Sequence, residues 1–225
     1  MRKSGKSLKL LVSIAAVAAI LAVLPGAFLS CSDKPSKTVP EKDTVSVMLF
    51  NADSAYAHIE AQCAFGPRVP NTEAHERCGQ YIVSRFKALG LAVTEQKMEL
   101  KAYNGTTLKC MNIFASTDTT AKRRILVSAH WDSRPWADND PDENNHKKPV
   151  LAANDGASGV AVMLELARAL MEDKPSVGVD FVCFDAEDYG VAQWDESNYP
   201  GDMSNSWCLG SQYFAANLPF ADYRP

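Results

Sequence analysis

Arg124-Ile125-Leu126-Val127-Ser128-Ala129-His130, followed by Gly156–Met171 and then by Val177–Phe184, is the stretch that decides the fold. The first segment is a short apolar run, the pattern of a strand covered on both faces. In the second, Val160, Met163, Leu164, Ala167 and Leu170 recur at helical spacing and make one apolar face. Val177–Phe184 is again short and apolar. Strand, helix and strand on this scale form a βαβ unit, so the two strands should lie parallel in one sheet with a right-handed crossover.

Outward from this unit the pattern stays legible. Upstream, Ala55–Phe65 and Thr72–Leu89 read as helices. In the second of these Cys78, Ile82, Phe86 and Leu89 share a face, with Asn71 placed to cap the start and Gly90 the end. Phe65-Gly66-Pro67-Arg68-Val69-Pro70 between them is a rigid turn. Ala92–Leu100 and Leu108–Ala115 are strand candidates joined by Asn104-Gly105, a strong hairpin signal. Downstream, Leu209–Asn217 begins another helix, with Ser206 as a candidate cap. The implied architecture is an open α/β sheet.

Composition narrows the class. A chain of 225 residues with 46% hydrophobic and 22% charged residues has the balance of a globular protein of one or two domains. The first thirty residues hold four of the 23 basic residues and none of the 27 acids, so the rest carries 19 against 27, a net −8. A body so acidic, without a basic stripe, excludes nucleic acid as the natural partner. Arg2, Lys3, Lys6 and Lys9 followed by apolar Leu10–Leu24 form the n-region and h-region of an export signal, too short for the roughly 20 residues of a membrane span. Phe28-Leu29-Ser30-Cys31 is similar to a bacterial lipoprotein cleavage site, in which Cys31 becomes the lipidated first residue; the alternative is an ordinary cleaved signal. The organisation expected is a signal over 1–30, a tether over 31–48 and the N-terminal part of a single domain over 49–225. It places the protein in the bacterial cell envelope, exported to the periplasmic or surface side, with the membrane as partner through Cys31. Among the five other cysteines, Cys63, Cys78, Cys110, Cys183 and Cys208, no pairing is dictated by spacing, and Cys183 reads as a small core residue.

In open parallel sheets ligands bind beyond the carboxyl ends of the strands. His130-Trp131-Asp132 leaves the first strand, Asn154-Asp155-Gly156 opens the crossover helix, and Asp185-Ala186-Glu187-Asp188 leaves the second strand. Each has a bland reading alone: Asp155 as a helix cap, Glu187-Asp188 as a solvated turn, His130 as a satisfied core histidine. All three fall at one edge of one βαβ unit. An imidazole and several carboxylates converging there are the donors of a divalent cation such as zinc, and a carboxylate left off the metal can act as general base.

These residues resemble the zinc aminopeptidase family that also contains the glutaminyl cyclases. The resemblance runs through His130-Trp131-Asp132-Ser133, Ala153-Asn154-Asp155-Gly156-Ala157-Ser158-Gly159-Val160 and Phe184-Asp185-Ala186-Glu187-Asp188, with Phe65-Gly66-Pro67-Arg68 before and Leu209-Gly210-Ser211 after. It implies a mixed, mostly parallel open sheet flanked by helices. It also implies that Asp155 and Asp188 bind zinc and that Glu187 is the general base. His130 binds a second zinc in the aminopeptidase branch and stays off the metal in the cyclases, while Asp132 orients or supports the site. The family supplies a later Asp and a final His ligand. His58, His75, His130 and His146 are the histidines here, so the resemblance also implies a domain truncated at its C-terminus.

Both branches act on peptides with a free N-terminus. The long insertion between Asp188 and Leu209, with Trp194 and Trp207, tilts the resemblance toward the bacterial, Bacteroidetes-type cyclases, in which a tryptophan near this position lines the glutamine pocket; here the spacing is one residue longer. Trp136 in the loop Ser133–Val150 points the same way. The reaction expected is glutaminyl-peptide cyclotransfer, an acyl transfer from N-terminal glutamine onto its own α-amine. The alternatives are a di-zinc aminopeptidase and an inactive peptide-binding relative.

Overall fold

The computed structural model describes residues 49–219 and Tyr223; the expected signal, the tether and Cys31 lie outside the described residues. Among the described residues four helices and four strands run in the order α1 (Ala52–Ala64), α2 (Glu73–Ala88), β1 (Ala92–Lys101), β2 (Thr107–Ser116), β3 (Arg124–His130), α3 (Gly159–Glu172), β4 (Gly178–Phe184) and α4 (Leu209–Ala216), with short irregular and 3₁₀ turns between them.

Capping chemistry sets the helix ends. Asn51 accepts from the Ser54 amide at the start of α1. At α2 the cap is Thr72, whose hydroxyl accepts from the His75 amide, and not the expected Asn71. Asn71 instead takes a positive φ of 74° and uses its side chain on β2, accepting from the Lys109 amide. Gly90, at φ 85°, closes α2 as expected: its amide reaches the Lys87 carbonyl and that of Leu91 reaches Phe86, the two bonds of a Schellman motif.

The sheet order is β1-β2-β4-β3. β3 and β4 pair in parallel from Arg124↔Gly178 to His130↔Phe184, with α3 as the crossover, so the βαβ unit is present. The sheet is mixed, and among the described residues its parallel part is this one pair; β1–β2 and β2–β4 are antiparallel. The hairpin between β1 and β2 closes at Lys101↔Thr107 with a tight turn in which the Gly105 amide bonds Ala102 and Gly105 takes φ 82°. β4 is buried almost throughout. β3, expected to be covered on both faces, is half-buried, with Ile125 51% exposed, because it is the outer strand among the described residues.

Along β2 the side chains alternate between two cores. Met111, Ile113 and Ala115 join Ile82, Val83 and Phe86 of α2, Val160, Met163, Leu164 and Ala167 of α3, and Phe181 and Cys183 of β4. Phe114 points the other way, to Val182, Phe214 of α4 and Tyr223. Helices thus cover both faces, and the two strand ends and the helix start that carry the three acidic clusters share one edge. Cys183 is fully buried in the first core, and all five described cysteines are free thiols.

Candidate metal and catalytic site

The pairing of His130 with Phe184 brings the ends of β3 and β4 together, and the chain leaving each strand folds over the same edge. His130 lies over the segment Ala153–Ser158, a single irregular turn before α3. Gly156 there has φ 114°, and a Cβ on it would come within 2.9 Å of His130 Cε1 and 3.0 Å of the His130 carbonyl oxygen. Only glycine meets both demands, which accounts for the Asn154-Asp155-Gly156 sequence.

Asp155 sits in this break at φ −99°, ψ 95° and caps nothing, so the bland reading of it as a helix cap fails. Its Oδ1 accepts from His130 Nε2 at 2.8 Å. The other ring nitrogen, Nδ1, is buried without a hydrogen-bond partner among the described residues; it lies 3.5 Å from Asp132 Oδ1 and 3.9 Å from Glu187 Oε2. His130, Glu187 and Asp188 each offer a donor atom within 4.8 Å of the others, a cluster of the size that one metal ion spans.

Asp132 is fully buried and holds the acidic pair by its backbone. Its Oδ1 accepts from the Glu187 amide at 3.0 Å and its Oδ2 from the Asp188 amide at 3.1 Å. Burial and the charge of Asp132 push the Asp188 carboxyl up to about 8. Burial alone would depress His130, but its contact with Asp132 and the charges of Asp132, Asp188 and Glu187 outweigh that and push it up to about 9. So many acids with one imidazole leave a surplus of negative charge, and both shifts show this edge gathering protons that a divalent cation could replace. Imidazole nitrogen and carboxylate oxygens are the donor set that zinc accepts.

Residues to which the sequence pattern assigns no role hold these groups in place. Asp185, fully buried, accepts from His75 Nε2 at 2.9 Å on both oxygens, from the Met111 amide at 2.6 Å and from the Ala186 amide at 2.8 Å. Burial raises its pKa, partly offset by His75. These bonds fix Ala186 in the left-handed region at φ 49°, which turns the chain so that Glu187 and Asp188 leave β4 toward Asp132. Arg68, also fully buried, has no carboxylate partner among the described residues; it donates to the carbonyls of Trp131, Leu151 and Ala152 at 2.7–3.0 Å. It therefore ties the end of β3 to the chain entering Asp155.

The amides that open α4 complete the frame. Cys208, Leu209 and Gly210 donate in turn to the carbonyls of Glu187, Ala186 and Asp185, each at 3.0 Å. Ser206, the expected cap of this helix, is used elsewhere: its hydroxyl donates to Met203 and accepts from the Val191 amide. The Cys208 thiol, pushed up to about 11 by burial and the nearby Glu187 carboxylate, donates to Glu187 Oε1 at 3.3 Å.

The two tryptophans expected to bind substrate, Trp194 and Trp207, lie in the insertion around Arg134. The Arg134 guanidinium lies 4.6 Å over Trp207 and 5.5 Å over Trp136, and Nη1 donates to the Asp188 carbonyl at 3.0 Å. Trp207 packs so tightly on Gly190 that a Cβ there would fall 2.0 Å from the indole. Trp194, 41% exposed, meets Trp136 edge-on at 5.8 Å, and Trp136 in turn contacts Tyr103 and Tyr189. The insertion after Asp188 and the loop carrying Trp136 therefore form an aromatic wall joined to the acidic edge through Arg134.

A mixed α/β sheet with an imidazole and acids gathered at the carboxyl edge of its parallel strands is the frame of a zinc-aminopeptidase-like enzyme. Residues 112–224 match peptidase family M28, and the chain belongs to that family. Among solved structures, a glutaminyl cyclase from Bacteroides thetaiotaomicron is 49% identical with a TM-score of 0.74, over 78% of this chain and 59% of that one. A Zn-dependent exopeptidase from Parabacteroides distasonis is 47% identical with a TM-score of 0.74, over 77% of this chain and 58% of that one. Aminopeptidase YwaD of Bacillus subtilis is 31% identical over 129 residues, 56% of this chain and 25% of the relative. The chain thus spans less than two thirds of the length of each of these proteins.

Proposed function

We propose that the protein is a zinc-assisted glutaminyl-peptide cyclotransferase, which converts N-terminal glutamine of peptides to pyroglutamate with release of ammonia. The observation that carries this reading is the aromatic wall of Trp136, Trp194 and Trp207, built by the loop Ser133–Val150 together with the insertion after Asp188 and joined to the acidic edge through Arg134. Such a wall suits a reaction in which the glutamine side chain must be folded back on its own amine and kept from water. The likeness to the Bacteroides thetaiotaomicron cyclase supports it.

Asp155 and Asp188 would hold zinc, which when bound supplies Lewis-acid polarisation of the side-chain amide carbonyl. Glu187 takes a proton from the α-amine as its nitrogen bonds to the amide carbon. It then returns a proton to the departing nitrogen, so that the carbon–nitrogen bond of the amide breaks and ammonia leaves. Asp132 holds Glu187 and Asp188 at the required spacing through their amides. The test is incubation of the zinc-loaded protein with a short peptide bearing N-terminal glutamine, with the product read by mass. Loss of ammonia alone, abolished by a chelator, is expected; release of free glutamine would overturn the reading.

A second reading, a di-zinc aminopeptidase, is favoured by one contact: His130 Nε2 lies 2.8 Å from Asp155 Oδ1, the spacing of two donors to one metal, as a bridging Asp155 would share a second zinc with His130. Proton release separates the two. Burial and neighbouring negative charge favour the protonated forms of Asp188 and His130, and a metal ligand must give up its proton, so zinc affinity rises with pH. If Asp188 is a ligand and His130 is not, calorimetry near pH 7 in buffers of different ionisation enthalpy should show net proton release with one zinc per chain, and an affinity that climbs with pH. Release of two protons with two zincs bound would favour the aminopeptidase, and a pH-independent affinity would remove Asp188 as a ligand.

The basic leader and Cys31 support export and lipid anchoring at the cell envelope. Metabolic fatty-acid labelling that survives Cys31→Ser would overturn that part.

A further inference from the structure

Glu187 is held asymmetrically. Its Oε1 accepts from the Cys208 thiol at 3.3 Å, while Oε2 faces His130 Nδ1 at 3.9 Å. The same cysteine grips Glu187 a second time, through its own amide, which donates to the Glu187 carbonyl at 3.0 Å. Cys208 adopts the left-handed region at φ 56°, ψ 33°, an unusual place for a residue with a side chain, and it is kept there by the neighbouring amide bonds of Leu209 and Gly210 to Ala186 and Asp185. Side chain and backbone of one residue thus converge on the carboxylate proposed as the base.

We propose that Cys208 is a positioning residue for Glu187: its S–H fixes one carboxylate oxygen so that the other is presented to the reacting amine. The proposal rests on the reading of Glu187 as general acid/base. A carboxylate with one oxygen occupied cannot rotate freely about its terminal torsion, so the proton-accepting oxygen stays directed at the site in each turnover. The thiol suits this task because it is a weak donor that orients the carboxylate without competing strongly for the proton.

Two variants of the zinc-loaded protein test it, with kcat and KM measured on a peptide bearing N-terminal glutamine. Cys208→Ala removes the donor and should lower kcat about tenfold, with KM and zinc content unchanged. Cys208→Ser restores a donor at the same backbone position and should recover kcat to within about threefold of the parent. Alanine and serine meet the same backbone strain, so equal losses in both would assign the effect to packing and overturn the proposal, as would an unchanged kcat in Cys208→Ala. A spectroscopic readout stands apart from activity: the infrared S–H stretching band that disappears in Cys208→Ala should move to higher frequency in Glu187→Ala. A band that stays put means the hydrogen bond is not made, and the proposal falls. If instead Glu187→Gln keeps full activity, the general-base reading has failed, and the band still reports whether the contact exists.

Discussion

Glu187→Gln is expected to lower kcat by about a thousandfold, within the range that general acid–base catalysis contributes, while KM and bound zinc stay as in the parent. The substitution is close to isosteric, and most of what holds residue 187 is untouched by it. Its amide still donates to Asp132, its carbonyl still accepts from Cys208, and an amide oxygen can still accept the Cys208 thiol. In the proposed cyclotransfer, what is lost is the ability to take a proton from the attacking amine and return it to the leaving nitrogen. Kinetics on an N-terminal glutamine peptide, with metal content by mass spectrometry, check the prediction. Full turnover in this variant would remove Glu187 from the mechanism; loss of zinc along with turnover would recast it as a ligand. The second outcome has a structural basis, since Glu187 shares the 4.8 Å donor cluster with His130 and Asp188.

How far this site is legible in the sequence depends on where each residue sits in the chain. His130, Asp155, Glu187 and Asp188 are readable because each lies directly beside an element whose periodicity is plain, and the strand ends of a βαβ unit must share an edge. The groups that hold them are not readable in the same way. His75 reaches Asp185 across 110 residues, and Arg68 reaches Ala152 across 84; no local pattern encodes such meetings. A signal does exist for Asn112, a polar residue inside the otherwise apolar strand Cys110–Ala115. It bonds the Asp185 amide through Oδ1 and the Gly210 carbonyl through Nδ2. The hydrophobic pattern of β3 misleads for a related reason, because apolar content reports what a strand can bury and not whether a neighbour lies beside it. Asn71 and Thr72 are both good caps; the choice of Thr72 results from Asn71 being drawn onto the Lys109 amide of β2.

Gly210→Ala is the second large effect expected, and its size comes from space and not from backbone freedom. Gly210 has no positive φ, yet a Cβ on it would stand 2.1 Å from the Asp185 carbonyl oxygen, 2.6 Å from Asn112 Oδ1 and 2.9 Å from the Asp185 nitrogen. Two of these are backbone atoms of the turn that carries Glu187, so relief requires either α4 or that turn to move. Such overpacking costs about 1–3 kcal/mol, which for a chain of this size lowers Tm by roughly 2–4 °C per kcal/mol. The displacement also breaks the ladder in which Gly210, Leu209 and Cys208 donate to Asp185, Ala186 and Glu187. Turnover should therefore fall at least about tenfold even at temperatures where the variant is folded, because small misplacements of a catalytic group are costly in rate. Gly105→Ala is the control. Gly105 has φ 82° but no atom within 4 Å of its added Cβ, so it should lose about 1 kcal/mol through backbone strain and keep its turnover. Thermal denaturation and kinetics of the two variants side by side decide the matter. Equal turnover in both would show that the contact between α4 and the Asp185–Glu187 turn has no part in placing the base.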